Sequence, residues 1–435
     1  MTHGTSKSSR TVAVEGIARV EGEGSLRVEV ADGHVSEVAL SIFEPPRFFE
    51  ALLRGRHYAE APDITARICG ICPVAYQMSA CAAMEDACGV APDERVRRLR
   101  RLLYCGEWIQ SHALHIYLLH APDFLGVADA VRLADIDRRS VERGLRIKQA
   151  GNLVMEVIGS RSVHPVNVRL GGFYRAPSPE QVSSLREALL HARDDALATV
   201  EWVAAFEFPD VHGEYRFVSL VHPEDYPIER GRVGSSDGLD LTPSGFADLV
   251  VETHARRSTA LHARIRDKGS YLTGPLARYA LNHARLPLVA RQAAGRAGIG
   301  PVCHNPFQSI IVRSVELVFA CEEALGLIET YEPPAPPARE VPARAGIGTG
   351  ATEAPRGLLV HRYEIDGTGM IRTARIIAPT SQNQLTIEED LKRVAEASLG
   401  MSEADLTWRC EQAVRNHDPC ISCAAHFLHV SVVGH

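Results

Sequence analysis

Period-two alternation opens the chain. From Thr11 to Phe43 apolar residues return at every second position, as in Leu26, Val28, Val30 and then Val38, Leu40, Ile42, the pattern of strands with one buried face. Ala31-Asp32-Gly33 separates the two runs, and Asp-Gly tolerates the positive φ of a tight hairpin. An antiparallel β region is predicted. A short helix is predicted from Arg47 onward, after Pro45-Pro46, with Glu50 on its first turns, where a lone glutamate is ordinarily a surface carboxylate.

The period then lengthens. Tyr76 to Ala87 reads as a helix. Asp93 is placed to cap another that runs to about His120, with Val96, Leu99, Leu103, Ile109, Ala113 and Ile116 on one side. Further helices are predicted over about Glu142 to Gly159, from Ser178-Pro179 to about Phe206, and from Phe307 to Thr330. Such lengths point to a central bundle. Pro209 to Leu241, polar and punctuated by Gly and Pro, reads as a surface excursion with short strands, and Tyr331 to Pro342 as an extended connector. A hairpin-like stretch turning at Asp366-Gly367 precedes two helices, about Ile387 to Ser398 and Ser402 to Asn416. The fold class is α+β, mainly helical: a central bundle of long helices, a small N-terminal antiparallel β region, and a β-rich segment before the C-terminal helices. The organisation predicted is a flexible N-terminus, residues 1–10, one domain over 11–426, and a C-terminal extension, 427–435.

Composition narrows the function. Of 435 residues, 45% are hydrophobic, and 47 basic against 54 acidic residues give a net charge of −7. The basic residues are dispersed, which argues against a nucleic-acid partner. No apolar run is long enough for a membrane span, and Met1 to Arg10 lacks the apolar core of a signal peptide, so the cytoplasm is the expected compartment. Ten cysteines in such a chain argue against a disulfide framework. Six of them, Cys81, Cys88, Cys105, Cys303, Cys321 and Cys410, sit singly in apolar surroundings and read as buried thiols.

The other four form Cys69-Gly70-Ile71-Cys72 and Cys420-Ile421-Ser422-Cys423, near opposite ends. Two cysteines two residues apart aim both thiolates at one soft metal, and a second pair completes four sulfur ligands. Structural zinc usually staples a local loop. The residues alone therefore rank a long-range four-thiolate metal site first, structural zinc second and unrelated pairs third. His112 and His115 share a helix face, a spacing that suits a metal, although histidines hydrogen-bonded within a bundle are the favoured reading. Gly346-Ile347-Gly348-Thr349-Gly350-Ala351 nominally fits a dinucleotide pattern. A proline-rich stretch stands where a strand is required, however, and Pro355 where a helix should begin. Thr352 to Gly357 is read instead as an ordered loop presenting Arg356.

Taken together, these motifs carry a resemblance. Arg19-Val20-Glu21-Gly22, Arg67-Ile68-Cys69-Gly70-Ile71-Cys72, Ser111-His112-Ala113-Leu114-His115, His164-Pro165 with Gly171-Gly172, Gly274-Pro275-Leu276-Ala277-Arg278, Glu353-Ala354-Pro355-Arg356-Gly357 and Asp418-Pro419-Cys420-Ile421-Ser422-Cys423 resemble, in this order, the large subunit of a nickel-iron hydrogenase. The likeness spans almost the whole chain and is greatest to the soluble, NAD(P)-linked subclass. It implies a catalytic subunit for reversible H₂ cleavage. Cys69 and Cys420 would be terminal nickel ligands, and Cys72 and Cys423 would bridge nickel to an iron carrying carbon monoxide and cyanide. Glu21 would relay protons beside a terminal thiolate. Arg356, presented by Pro355, would sit over the metals, and Thr380 or Ser381 would donate to a cyanide. Glu50 and His426 would hold a structural Mg²⁺.

The resemblance also implies partners. These are an iron-sulfur small subunit, flavin- and NAD(P)-binding electron-transfer subunits, metal-insertion chaperones, and an endopeptidase that removes Phe427 to His435 after His426. Two positions depart from the family pattern. Tyr76 stands where the family usually has histidine, which implies different tuning of the bridging sulfur or of the proximal electron path, and Ser111 stands where membrane-bound relatives carry aspartate. The competing readings are a hydrogenase-related sensor or inactive descendant, and a zinc-stabilised scaffold.

Overall fold

The computed structural model describes residues 9–45 and 47–425. The first three strands, Ser9–Val14, Gly24–Ala31 and His34–Ile42, form the predicted antiparallel sheet. It begins at Ser9, inside the stretch read as a flexible terminus. Its buried face, Val12, Leu26, Val28, Val30 and Leu40, packs on Ile387, Leu391, Val394, Leu406 and Cys410. Those residues belong to the C-terminal helices Pro379–Ala397 and Glu403–Arg415. Burial of this shared apolar surface brings the two ends of the chain together.

The bundle is built from Glu94–Leu114, Arg138–Gly159, Arg186–Ala204 and Ser309–Glu329. Each helix packs on two of the others, forming a closed ring. Glu94–Leu114 and Arg138–Gly159 cross almost backbone to backbone. A Cβ on Gly151 would lie 2.6 Å from Gly106 O, so only glycine fits that crossing. Asp93 caps its helix as predicted, accepting from Arg95 N at 2.9 Å. Past Leu114 the helix widens into a π turn, His115–His120.

Four segments differ from the sequence reading. The Ser178-capped helix breaks into Pro179–Ser183 and Arg186–Ala204. The reason is local: the hydroxyls of Ser183 and Ser184 donate to Glu180 O and Gln181 O, in competition with the helical ladder. Residues 209–241 are not a surface excursion. Val218, Leu220, Tyr226, Ile228 and Val233 are buried, and the strands Val218–Val221 and Arg232–Ser235 cover one face of a later sheet. That sheet is the antiparallel meander Gly346–Ala354, Gly357–Ile365, Ile371–Ile377. Its glycines serve close packing on helix Pro73–Cys88, because a Cβ on Gly348 would lie 2.0 Å from Ala83 O. The predicted loop at Thr352–Gly357 thereby narrows to a two-residue turn, Pro355-Arg356.

The last difference concerns helix Pro379–Ala397, which starts eight residues before the predicted Ile387. Its polar opening, Thr380 to Gln384, resembles a loop in sequence. In the fold these side chains are buried and bonded inward, with Asn383 pairing both backbone groups of Thr273 and Gln384 donating to Leu40 O. Among the described residues no helix is long and apolar enough to cross a membrane.

Candidate metal centre

Cys69 ends a short 3₁₀ turn, Ala66–Ile68, and Cys72 immediately precedes helix Pro73–Cys88. The first-turn amides of that helix lack intrahelical partners, and Glu107 of the neighbouring helix supplies them. Its carboxylate accepts from Val74 N at 2.6 Å and Ala75 N at 3.0 Å. Gln110 donates to Ile71 O at 2.6 Å. In the second pair Cys420 precedes the single turn Ile421–Ala424 and Cys423 lies within it. Arg47 ties the two motifs to each other, donating through Nη2 to Ser422 O at 2.9 Å and also to Ile68 O. Glu107 and Arg47 carry no sequence motif. The only signal for Glu107 is an acid set among apolar positions between Gly106 and Trp108.

The fold brings all four cysteines together. Cys69 Sγ lies 3.5 Å from Cys420 Sγ, and Cys72 Sγ 3.9 Å from Cys423 Sγ. The four sulfurs lie within 4.8 Å of one another and are buried. Four thiolates around one metal at about 2.3 Å stand about 3.8 Å apart, so the set fits a metal. Hydrogen bonds from the Cys420, Cys423 and Cys72 thiols hold Cys69 well below its ordinary range, while burial pushes Cys420 and Cys423 up. Four buried thiolates need a cation to ionise together. The other six cysteines are buried and unpaired, as predicted.

Three groups around the sulfurs go beyond what a closed structural site needs. Glu21 adjoins Cys420 in an isolated parallel bridge, where Ile421 N donates to Glu21 O at 3.0 Å. Its Oε2 accepts from Ser422 N at 3.0 Å and lies 3.2 Å from Cys420 Sγ. Arg356, at the hairpin tip, is 3% exposed. Its Nε donates to Asp418 O at 3.0 Å and its Nη2 lies 3.2 Å from Asp418 Oδ1. Neither Nη1 nor Nη2 has a hydrogen-bond partner among the described residues. Burial opposes the Arg356 charge, but Asp418 and the sulfurs of Cys420, Cys72 and Cys69 more than offset it. Thr380 Oγ1 accepts from Cys420 N at 2.9 Å, and Ser381 is buried in the same helix turn.

Glu50 is half-buried on the short helix Phe49–Leu53, not a free surface carboxylate. It accepts from Ile376 N at 2.7 Å, and burial pushes it up to about 7. His426, its proposed companion, lies outside the described residues, as does the extension 427–435. His112 and His115 are bundle histidines, as favoured. His112 Nε2 lies 3.0 Å from Glu316 Oε2, and His115 Nε2 bonds Arg415 O at 2.9 Å. Tyr76 is buried with its ring 5.6 Å from that of His361. Burial first, then the charge of Cys423, Cys72 and Cys420, push its phenol up.

Comparison with known proteins assigns the metal. The family model for nickel-dependent hydrogenases matches residues 47–144 and 315–426. Sulfhydrogenase 1 subunit alpha of Pyrococcus furiosus is 33% identical over 96% of this chain and 98% of its own. The beta subunit of the NAD-reducing hydrogenase HoxS of Cupriavidus necator is 25% identical over 97% of this chain and 95% of its own. The crystal structure of an NAD⁺-reducing [NiFe]-hydrogenase in the H₂-reduced state superposes with a TM-score of 0.87 and 29% identity, covering 96% of this chain and 99% of that one. Both cysteine pairs fall inside the matched segments, and the resemblance read from the motifs is the family found: the chain belongs to the nickel-dependent hydrogenases, as a large, catalytic subunit.

Proposed function

We propose that this chain catalyses H₂ ⇌ 2H⁺ + 2e⁻ in a cytoplasmic complex that exchanges the electrons with NAD(P). The observation that carries the reading is the pairing of four buried sulfurs with two poised groups, Glu21 Oε2 at 3.2 Å from Cys420 Sγ and the buried Arg356 guanidinium, whose Nη1 has no hydrogen-bond partner among the described residues. A structural zinc site is closed and needs neither. Cys69 and Cys420 would hold nickel terminally, and Cys72 and Cys423 would bridge it to iron. When bound, that centre, with carbon monoxide and cyanide on iron, supplies the redox chemistry and a soft Lewis acid for dihydrogen.

The residues of the chain divide the remaining work. The Arg356 guanidinium is a planar donor fork that would orient a cyanide and polarise dihydrogen once the centre is bound. The Cys420 sulfur would take the proton of a heterolytically split H₂, the electron pair of the H–H bond being left to the bound centre, and would hand that proton to Glu21 Oε2, 3.2 Å away. The backbone bonds to Glu21 keep that carboxylate within transfer distance. Thr380 already accepts from Cys420 N, which leaves its hydroxyl proton to donate to a cyanide. Glu50 and His426 would hold Mg²⁺, and Phe427 to His435 would be removed by the endopeptidase after metal-insertion chaperones have loaded the site.

Among the described residues no second cluster of metal ligands exists. Electrons therefore leave to an iron-sulfur small subunit and onward to flavin and NAD(P). Metal analysis of the purified complex tests the reading. One nickel per large subunit, with iron in excess of nickel because the small subunit carries iron-sulfur clusters, and infrared bands of carbon monoxide and cyanide are expected; zinc alone refutes it. Cys420→Ser is expected to abolish turnover; substantial hydrogen uptake by that variant would overturn the ligand assignment. Intact mass of active enzyme is expected to end at His426, and a retained tail refutes the processing.

A further inference from the structure

The motif Gly274-Pro275-Leu276-Ala277-Arg278 opens helix Pro275–Asn282 and touches none of the four sulfurs in the arrangement above. Its arginine is fully buried, and burying a guanidinium is costly unless every donor is used. All of them are. Nε and Nη2 grip the two oxygens of Glu316 at 2.8 Å each. Nη1 donates to Glu353 Oε2 at 3.1 Å and to Ala354 O at 2.8 Å, and Nη2 also donates to Pro355 O at 2.9 Å. Trp108 lies under the guanidinium, 4.4 Å from its ring centroid, and donates through Nε1 to Glu353 O at 3.0 Å. The three carbonyls that lead into Arg356 are thus each held from one side.

The same motif closes on the turn from the other side. Gly274 has φ +113, and a Cβ there would lie 2.7 Å from Arg356 O. Backbone meets backbone at this point, which only glycine permits. The turn is therefore clamped between Gly274 and the Arg278 fork, while beyond the turn Asp418 steadies the guanidinium through Nε and Nη2. Nη1 has no hydrogen-bond partner among the described residues, and its direction is set by the turn together with Asp418.

We infer that Arg278 is a positioning residue for the hydrogenase reaction, which fixes the Ala354-Pro355-Arg356 turn so that the Arg356 guanidinium faces the four-sulfur site. Lysine at 278 keeps the charge but cannot bond two carbonyls and two carboxylates at once. The inference rests on the role proposed for Arg356, and the test separates the two.

The test uses Arg278→Lys in the assembled complex. Nickel content is expected to hold, the cyanide infrared bands to shift, and turnover per nickel to fall about a hundredfold, the scale of an ångström misplacement. Arg278→Lys with Arg356→Lys is expected to be no worse than Arg356→Lys alone. Multiplying losses, or a lower melting temperature with unchanged cyanide bands and turnover per nickel, would overturn the inference and leave Arg278 a stability residue. If Arg278→Lys does not assemble, Gly274→Ala applies the same displacement from the opposite side, with the same outcomes. Amide exchange over residues 353–358 is read on the metal-free chain and is expected to quicken at least tenfold in Arg278→Lys; unchanged protection overturns the clamp. Wild-type enzyme without nickel or cyanide bands defeats the nickel-iron reading, whereas faster exchange beside unchanged bands defeats the link from turn to site.

Discussion

Glu21 gains its chemistry from a backbone bridge. In sequence it is an ordinary acid beside Gly22, yet the parallel pairing with Cys420 fixes both its carbonyl and its carboxylate within one turn of the second cysteine motif. Glu21→Gln keeps the hydrogen-bond acceptor for Ser422 N and removes the proton acceptor. Proton exchange measured with deuterium is expected to slow by about 10²-fold or more while nickel content stays; loss of nickel would make Glu21 structural. Glu353 offers a second test at this scale. Burial pushes it up to about 7 against the pull of Arg278. A carboxyl raised on folding contributes stability that is fully present below about 4.5 and is lost as pH rises through about 7. Melting temperature is accordingly expected to fall from pH 5 to pH 8, and Glu353→Gln to flatten that slope, by on the order of 2–3 kcal/mol across the range. An unchanged slope would place the titration elsewhere.

At the scale of elements, close backbone approach decides which substitutions the fold tolerates. Gly348→Ala drives a Cβ to 2.0 Å from Ala83 O on helix Pro73–Cys88, the helix that begins at Cys72. The sheet must move, at a cost of about 3 kcal/mol or more, and urea unfolding should show it. Such packing also explains what the sequence made legible. The first hairpin and the bundle helices announce themselves because each has one buried stripe with a clean period, and Asp93 and Ser178 cap where their side chains reach the first turn. The run Gly346 to Ala351 did not read as a strand, because its glycines answer to a helix backbone that no local pattern records. The same holds for Thr380 to Gln384, whose polar side chains are satisfied by Thr273, Leu40 and Cys420, all distant in sequence. The cysteines were legible because metal chemistry restricts their spacing. Arg47 and Glu107 were not, because a pair of bonds to distant backbone carbonyls or amides leaves no pattern.

For the whole molecule, the site is the seam where the two ends of the chain meet. The sheet that carries Glu21 and the helices that carry Thr380 and lead to Cys420 share one apolar cluster. A metal held by all four sulfurs would link the start of helix Pro73–Cys88 to the C-terminal cysteine motif beside this seam, and a ligand that binds only the folded state raises its stability. Metal-loaded chain is expected to melt at a higher temperature than metal-free chain, and Cys420→Ser to lose most of that difference. Equal melting temperatures would show that the seam closes without metal. Exposure of the second cysteine motif to a protease is expected to follow the same order, with the metal-free chain cut first.

The seam also has a clock. Cys69 and Cys420 stand 351 positions apart, and a ribosome adding about 5–20 residues per second delivers them roughly 20–70 seconds apart. Throughout that interval the first pair of sulfurs is a half-site without its mates, and the bundle, whose last helix ends at Glu329, is complete before Cys420 emerges. On the proposed ligation, nickel that arrives early would find two of its four ligands, so loading would wait for translation to pass Cys423.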